Sequence, residues 1–176
     1  MGRSRLPHPR GRDLSGLRLR AARPGDGPAA HAVLYAAVHG GTAAAYGPEE
    51  RAAWAPSPDP APDWEARLLD CTTILAEMRW GIVGFMALAG DGHLDLAYVA
   101  PDWIGRGVGG ALHDAILDVA RGAGLGLLAT EASLIAQPFF TRHGWRQTAR
   151  QSVIRNGVPL TNFRMELDLQ AALARP

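Results

Sequence analysis

Apolar and polar residues alternate or recur at helical spacing in the first half of the chain, and they predict one strand and three helices. The strand is expected at 17–21 and the helices at about 27–39, 48–54 and 64–70. Asp26 stands where the N-cap of the first helix would lie, and Gly40 and Gly41 would end that helix. The proline-rich segment 56–62 favours an extended loop, because proline fixes its own φ and restricts the preceding residue.

From residue 72 onwards the pattern predicts an antiparallel meander, a helix, a strand, a short helix and a final hairpin. These elements are expected at 72–78, 82–88, 93–99, 109–121, 125–131, 135–143, 145–155 and 160–168. The pairs Asp91-Gly92 and Asn156-Gly157 are strong signals for tight turns. Because strands and helices do not alternate regularly, we predict a mixed α/β fold (α+β) and not a doubly wound nucleotide-binding fold.

Four glycines crowd the start of the helix predicted at 109–121. Gly105, Gly107, Gly109 and Gly110 fall within six residues, although glycine costs roughly 1 kcal/mol relative to alanine in a helix. Their density indicates that another group approaches the backbone closely. A helix N-terminus has unpaired N–H groups and the positive end of the helix dipole, so the expected ligand is an anion such as a phosphate.

Composition changes this picture little. The 176 residues, 47% hydrophobic and 20% charged, are sufficient for one globular domain, expected at 16–170. Residues 1–15 are basic, lack the apolar run of a secretory signal and are expected to form a disordered tail. All 18 basic residues are arginine and the net charge is +1, which gives no indication of a nucleic-acid partner. No run approaches the roughly 18 apolar residues of a membrane span, and the single cysteine, Cys71, fits a reducing cytoplasm.

Two motifs resemble the GNAT N-acetyltransferase superfamily. The family pattern V-x-P followed by (R/Q)-x-x-G-x-(G/A) is similar to Val99-Ala-Pro101 and Ile104-Gly-Arg-Gly107-Val-Gly109. The family element A-x-x-F-Y-x-x-x-G-F is similar to Ala136-Gln-Pro-Phe139-Phe140-Thr-Arg-His-Gly144-Trp145, as in small bacterial members with a PFF-type helix. The likeness spans roughly residues 16–168. It implies a mostly antiparallel twisted sheet with flanking helices and a splayed central strand pair.

The resemblance also implies acetyl-CoA as the cofactor, with its pyrophosphate on the glycine loop and its pantetheine arm along a strand end. The residues expected at the cofactor are Tyr98, Val99, Ile104, Arg106, Gly107, Val108, Gly109, Gly110, Ser133 and Phe140. Three of them depart from the family pattern. Ile104 replaces a polar residue whose charge Arg106 would supply, Ser133 replaces a frequent asparagine, and Phe140 replaces the frequent catalytic tyrosine.

Acetyl transfer to an amine requires a base, because a protonated amine has no lone pair. His93 and Asp95 are two residues apart on one strand, so they share a face, and Glu131 ends the next strand. These three are the candidate catalytic residues. Solvation at a strand end would explain His93 and Asp95 equally well, and an ion pair with an arginine would explain Glu131. With Phe140 unable to donate a proton, water, Ser133 or the thiolate itself would serve at the leaving group.

Tyr46 and Trp54 lie in the region that lines the acceptor pocket in the family, and an aromatic pair near a carboxylate suits a cationic amine. His113 and His143 are expected at the surface or at helix caps, and no residue spacing indicates a metal site.

We therefore predict a cytoplasmic enzyme that transfers an acetyl group from acetyl-CoA to a primary amine of a small molecule, by direct attack in a ternary complex. Two alternatives stay open: a protein amine as the acceptor, and a non-catalytic acyl-CoA-binding module, which Phe140 favours. A dinucleotide-binding protein fits poorly, because the glycine loop does not belong to an early βαβ unit. A homodimer is expected only by analogy with the family.

Overall fold

The computed structural model describes residues 14–170. Within that range the elements, in chain order, are β1 (Arg18–Ala21), α1 (Gly27–Ala36), α2 (Pro48–Trp54), α3 (Trp64–Asp70), β2 (Thr72–Met78), β3 (Gly81–Leu88), β4 (His93–Val99), α4 (Val108–Gly122), β5 (Leu127–Ser133), α5 (Gln137–Arg142), β6 (Arg146–Arg155) and β7 (Val158–Asp168). A π-helical turn at Ala37–Gly41 extends α1, and a 3-10 turn at Pro101–Trp103 follows β4. The tail expected at 1–15 lies outside the described residues, apart from Leu14 and Ser15.

The strands form one sheet in the order β1-β2-β3-β4-β5-β7-β6. Neighbouring strands are antiparallel except for β4 and β5, which run parallel. Only two Cα pairs join β4 to β5, namely His93 with Ala129 and Leu94 with Thr130, and the two strands separate beyond them. The predicted fold class, a mostly antiparallel sheet with a splayed central pair, is confirmed.

Hydrophobic residues cover both faces of this sheet. On one face α4 buries Leu112, Ile116 and Ala120, whose four-residue spacing places them on one side of the helix. On the other face α1 and α3 pack against the central strands, with Leu68 and Phe85 fully buried. No helix within residues 14–170 is long and apolar enough to cross a membrane.

One strand boundary was predicted wrongly, and Asp26 lies at the predicted N-cap position of α1 without the expected side-chain bond. β5 begins at Leu127 and not at Leu125, because the Leu125 N–H still donates to Ala120 O (3.0 Å) at the end of α4. Asp26 precedes α1 but makes no capping bond with its side chain. Its carboxylate instead accepts two bonds from Arg20 (2.7 and 2.9 Å), and this pairing lowers the pKa of Asp26.

Candidate functional site

The separation of β4 and β5 leaves a cleft between their C-terminal ends, and two cavities meet there. The first, the glycine-loop groove, has a volume of about 530 Å³ and is bordered by the start of α4, by α5 and by the end of β4. The second, the aromatic cavity, has a volume of about 180 Å³ and is bordered by α2, α3, β6 and β7. The residues that line both cavities are Trp54, Asp95, Tyr98, Glu131 and Ser133.

The glycine loop leaves backbone donors at the groove. Gly105 and Gly107 have φ angles of 76° and 99°, which residues with a Cβ rarely adopt. In α4 the first N–H to find a backbone acceptor is that of Ala111, which donates to Gly107 O (3.0 Å). The N–H groups of Val108, Gly109 and Gly110 therefore have no backbone partner in the part of the chain that the structure describes. Together with the helix dipole they suit a phosphate.

The side chains around the loop differ in how they could contribute. A Cβ at Gly109 would lie 3.2 Å from the Phe139 ring, so a larger residue there would require that ring to move. The Val108 side chain is fully buried, which leaves only its backbone for a ligand. Ile104 lines the groove and is half exposed, whereas the Arg106 guanidinium lies over the Trp103 ring, 5.5 Å from its centroid. The role of Arg106 at the cofactor stays a prediction.

Ser133 and Phe140 lie further along the groove. Ser133 Oγ accepts from the Ala136 N–H (3.1 Å) and keeps its own proton for donation. Phe140 is 2% exposed and packs edge-on against Trp145. A phenyl ring at this position is held firmly but supplies neither a donor nor an acceptor.

The three candidate bases converge on the cleft but have different partners. His93 Nε2 lies 3.9 Å from Glu131 Oε2. Both carboxylate oxygens of Asp95 instead accept from Arg67, each at 2.8 Å, and this pairing raises the pKa of Arg67. Asp95 is thus committed to an ion pair, whereas the His93 ring, about one-third exposed, lines the aromatic cavity.

Aromatic side chains form the wall between the two cavities. The Tyr46 hydroxyl donates to Thr161 O (2.6 Å) and accepts from the Leu134 N–H (2.9 Å). Tyr46 therefore offers a ligand only its ring, and burial raises its pKa. Trp54 Nε1–H donates to the Tyr98 hydroxyl (3.1 Å), which keeps its own proton because burial raises the pKa of Tyr98 as well.

Several residues of the site were missed by sequence reasoning. Tyr98 was expected at the cofactor, and its side chain also lines the aromatic cavity, because alternation along the strand turns it away from the face of Val99. Arg67, Arg155 and Asn162 also line the aromatic cavity. No local signal marks them, since their places depend on how α3, β6 and β7 pack around the cleft.

Arg142 and His143 were missed at the glycine-loop groove, where they contribute basic groups. His143 Nδ1 lies 2.8 Å from Phe139 O, so that nitrogen carries a proton, consistent with the expected capping position. The Cys71 thiol is half-buried and burial raises its pKa, which does not favour a thiolate nucleophile. Residues 14–170 contain no group of three or more histidine, cysteine or acidic residues arranged to hold a metal.

His113 was wrongly expected at the surface or at a cap. It is 2% exposed, and its Nε2 accepts from Trp145 Nε1–H (2.9 Å). Burial lowers the pKa of His113 to about 4. A helical position can bury an imidazole when a neighbouring element supplies a partner, and Trp145 does so from the loop after α5.

Comparison with known proteins supports one interpretation of this architecture. Residues 42–167 match the family description of an acetyltransferase (GNAT) domain. The uncharacterized N-acetyltransferase YafP of Escherichia coli (strain K12) is 28% identical over 152 residues, which are 86% of this chain and 96% of YafP.

Solved structures agree with this match. A GCN5-related N-acetyltransferase from Rhodopseudomonas palustris is 35% identical, with a TM-score of 0.82 over 86% of this chain and 94% of that one. The protein yncA of Salmonella typhimurium, solved with acetyl-CoA, has the same fold at 21% identity, with a TM-score of 0.61 over 87% of this chain and 94% of its own. Motifs, splayed sheet and relatives together show that the chain belongs to the GNAT family of N-acetyltransferases.

Proposed function

We propose that this enzyme transfers an acetyl group from acetyl-CoA to a primary amine of a small molecule, by direct attack in a ternary complex. The observation that carries the proposal is the meeting of the two cavities at the ends of β4 and β5. A donor in the glycine-loop groove and an acceptor in the aromatic cavity would reach each other at the five residues that line both. Direct transfer then needs no covalent enzyme intermediate.

The groove suits acetyl-CoA at two places. The unpaired N–H groups at the start of α4 would hold the pyrophosphate. Beyond Leu94, the edge of β4 that faces the cleft is not paired with β5, so its backbone groups are available to the amides of the pantetheine arm. The acetyl-CoA of yncA, a protein of the same fold, supports this choice of donor.

His93 is the residue that we assign as the base. It would take a proton from the acceptor ammonium, and the Glu131 carboxylate, 3.9 Å from Nε2, would stabilise the resulting imidazolium. The neutral amine then forms a C–N bond to the acetyl carbon, and a backbone N–H of β4 would donate to the carbonyl oxygen as negative charge develops. Asp95 would act by holding Arg67, not by accepting the proton.

The leaving group does not require a tyrosine at position 140. As the C–S bond breaks, the sulfur leaves with its electron pair as a thiolate. A thiolate is tolerable near neutral pH because a thiol has a pKa of roughly 8.5. The amide nitrogen releases its second proton to water, and the Ser133 hydroxyl or water protonates the sulfur. Replacement of tyrosine by Phe140 is therefore compatible with turnover.

The size of the aromatic cavity favours a small acceptor. Its volume is about 180 Å³, and the β6–β7 turn is tied to α2 by a bond from Asn156 Nδ2 to Ala53 O (2.8 Å). A small amine fits such a space more readily than a folded protein does. The non-catalytic alternative, to which Phe140 gives some support, predicts CoA binding without release of free CoA from acetyl-CoA and any amine.

Separate His93→Gln and Asp95→Asn variants test the assignment of the base. We expect His93→Gln to lower kcat roughly 100-fold or more and to remove the acidic limb of the pH–rate profile, since it removes the proton acceptor. Asp95→Asn should keep that limb, because both Asp95 oxygens already bind Arg67. An unchanged profile in His93→Gln, or loss of the limb in Asp95→Asn alone, would contradict the assignment.

A further inference from the structure

The aromatic cavity contains two arginines in different states. Arg67 is neutralised by its two bonds to Asp95. Arg155, at the end of β6, makes no side-chain hydrogen bond or ion pair with any residue in the range 14–170, although it lines the same cavity. A positive charge without a partner therefore faces the cavity from its β6 side.

Arg155 acts electrostatically on the centre of the site. Burial raises the pKa of the Tyr98 hydroxyl, and the hydrogen bond from Trp54 opposes that rise, followed by the positive charges of Arg67 and Arg155. The position of Arg155 is also fixed from one side, because the next residue, Asn156, donates to Ala53 O in α2. Arg155 is an exposed residue that lines the cavity, and its charge acts on Tyr98 at the centre of the site.

The other end of the cavity has the opposite chemistry. Asn162 Oδ1 is buried and has no hydrogen-bond donor among the described residues. Asn162 is the cross-strand partner of Ser133, two residues from Glu131 on β5. A buried amide oxygen requires an N–H or O–H donor, and Glu131 adds a negative charge beside it. An ammonium group satisfies both residues.

We propose that the acceptor is an amine that carries an anionic group at its far end, with the ammonium near Asn162 and Glu131 and the anion on Arg155. This inference rests on the proposed function of the aromatic cavity as the acceptor site. A diamine would place a second positive charge against Arg155, and a simple alkylamine would leave Arg155 without a partner.

The register of the sheet also indicates how far apart the two groups lie. Arg155 pairs with Val158, which precedes Asn162 by four residues on β7. At about 3.3 Å per residue this corresponds to roughly 13 Å along the strand. The long arginine side chain shortens the gap without closing it. The anion is therefore expected several bonds from the reacting amine, not on the adjacent carbon.

Three probes of equal chain length test this inference: δ-aminovalerate, n-pentylamine and cadaverine, whose far ends are anionic, apolar and cationic. Binding of each to the protein saturated with CoA is measured by calorimetry, and turnover is measured by release of CoA from acetyl-CoA. We expect δ-aminovalerate to bind about tenfold more tightly than n-pentylamine, the equivalent of one charge-assisted hydrogen bond, and cadaverine to bind most weakly. Norvaline, with the same carbon skeleton but an adjacent carboxylate, should bind more weakly than δ-aminovalerate.

Charge reversal supplies the control. Arg155→Glu should invert the order so that cadaverine binds more tightly than δ-aminovalerate. Arg150 is an exposed arginine of the same strand that lies on the opposite face from Arg155 and does not line the cavity. Arg150→Glu should therefore leave the order of affinities unchanged. Equal affinities in the wild type, no binding of any probe, or the same order in Arg155→Glu would overturn the inference.

The two readouts separate this inference from the proposed function. Charge-dependent binding without CoA release would overturn the proposed transferase activity and leave the charge preference standing. Turnover of all three amines at rates that do not depend on charge or on Arg155 would overturn the charge preference alone.

Discussion

At the scale of single residues, His113 shows how one neighbour fixes a protonation state. The indole N–H of Trp145 can only donate, so His113 Nε2 must be the unprotonated nitrogen and Nδ1 carries the proton. Nδ1 has no hydrogen-bond partner in residues 14–170, and the nearest carboxylate oxygen, Asp114 Oδ1, is 3.8 Å away. The His143 ring, 4.7 Å away between centroids, also lowers the pKa of His113.

This geometry predicts a loss of stability in mild acid. Burial lowers the pKa of His113 from 6.5 to about 4. Between these values the unfolded chain binds a proton at His113 that the folded chain does not, so the free energy of unfolding falls as the pH falls. His113 should contribute a loss of about 3 kcal/mol across this window, at 1.36 kcal/mol per pH unit. Urea unfolding at a series of pH values measures it.

His113→Gln serves as the comparison for that experiment. The variant removes the titrating group, so its pH dependence across the same window should be flatter than that of the wild type, whatever its stability at neutral pH. Parallel curves for the two proteins would show that another group accounts for the dependence.

At the scale of elements, the glycines at the two ends of α4 differ in how closely other residues approach them. Gly109 faces Phe139 of α5 so closely that a Cβ would have to displace the ring. Gly122, at the other end of α4, has no heavy atom within 4 Å of such a Cβ. Close packing therefore restricts the residue at Gly109 but not the residue at Gly122.

Substitutions at the two positions should show this difference. Gly109→Val is expected to weaken CoA binding at least tenfold, because the added methyl groups force Phe139 or the loop into the groove. Gly122→Ala should leave the affinity unchanged and stabilise the helix by roughly 0.5–1 kcal/mol. Calorimetric titration with CoA and urea unfolding of both variants give the two values. An unchanged dissociation constant in Gly109→Val would remove the argument for an anion site on this loop.

At the scale of the whole molecule, the groove lies across the splayed pair of strands at the centre of the sheet. Its lining comes from both sides of the splayed pair, with Met86 and Val99 on one side and Ala132 and Phe139 on the other. β4 and β5 share only two Cα pairs, so a ligand that spans the groove would connect the two halves of the sheet.

We therefore expect CoA to stabilise the entire fold. At a free concentration 100 times its dissociation constant, a ligand that binds only the folded state adds about 2.7 kcal/mol. For a chain of this length this corresponds to a rise in Tm of roughly 5–11 °C, measurable by scanning calorimetry. Gly109→Val, with its dissociation constant raised at least tenfold, should show about half that rise or less at the same CoA concentration. A Tm that does not respond to CoA in the wild type would contradict the cofactor proposal.

Much of the fold was accessible from the sequence because its signals are local. Asp91-Gly92 and Asn156-Gly157 marked the β3–β4 and β6–β7 hairpins, and the spacing of Leu112 and Ile116 marked the buried side of α4. The order of elements and the two motifs indicated the family and the splayed sheet. The glycines at 105–110 predicted an anion on the backbone, although the structure also shows that Gly105 and Gly107 adopt positive φ angles and that Gly109 packs against Phe139.

The tertiary structure alone decided which side chains share the cleft and with what partners. The sequence did not distinguish Asp95 from His93 as a candidate base, whereas in the structure Arg67 of α3 binds Asp95. Glu131 and His93 are far apart in sequence, but their side chains approach each other in the fold. Arg155 and Asn162 gave no signal, because a residue's neighbours across a sheet depend on register and not on adjacent sequence. The sequence by itself therefore determined the backbone framework and the glycine loop at which we propose that phosphate binds, because their causes are local. The chemistry of the aromatic cavity was decided by long-range packing, which places polar and charged groups from α3, β4, β5, β6 and β7 around one space.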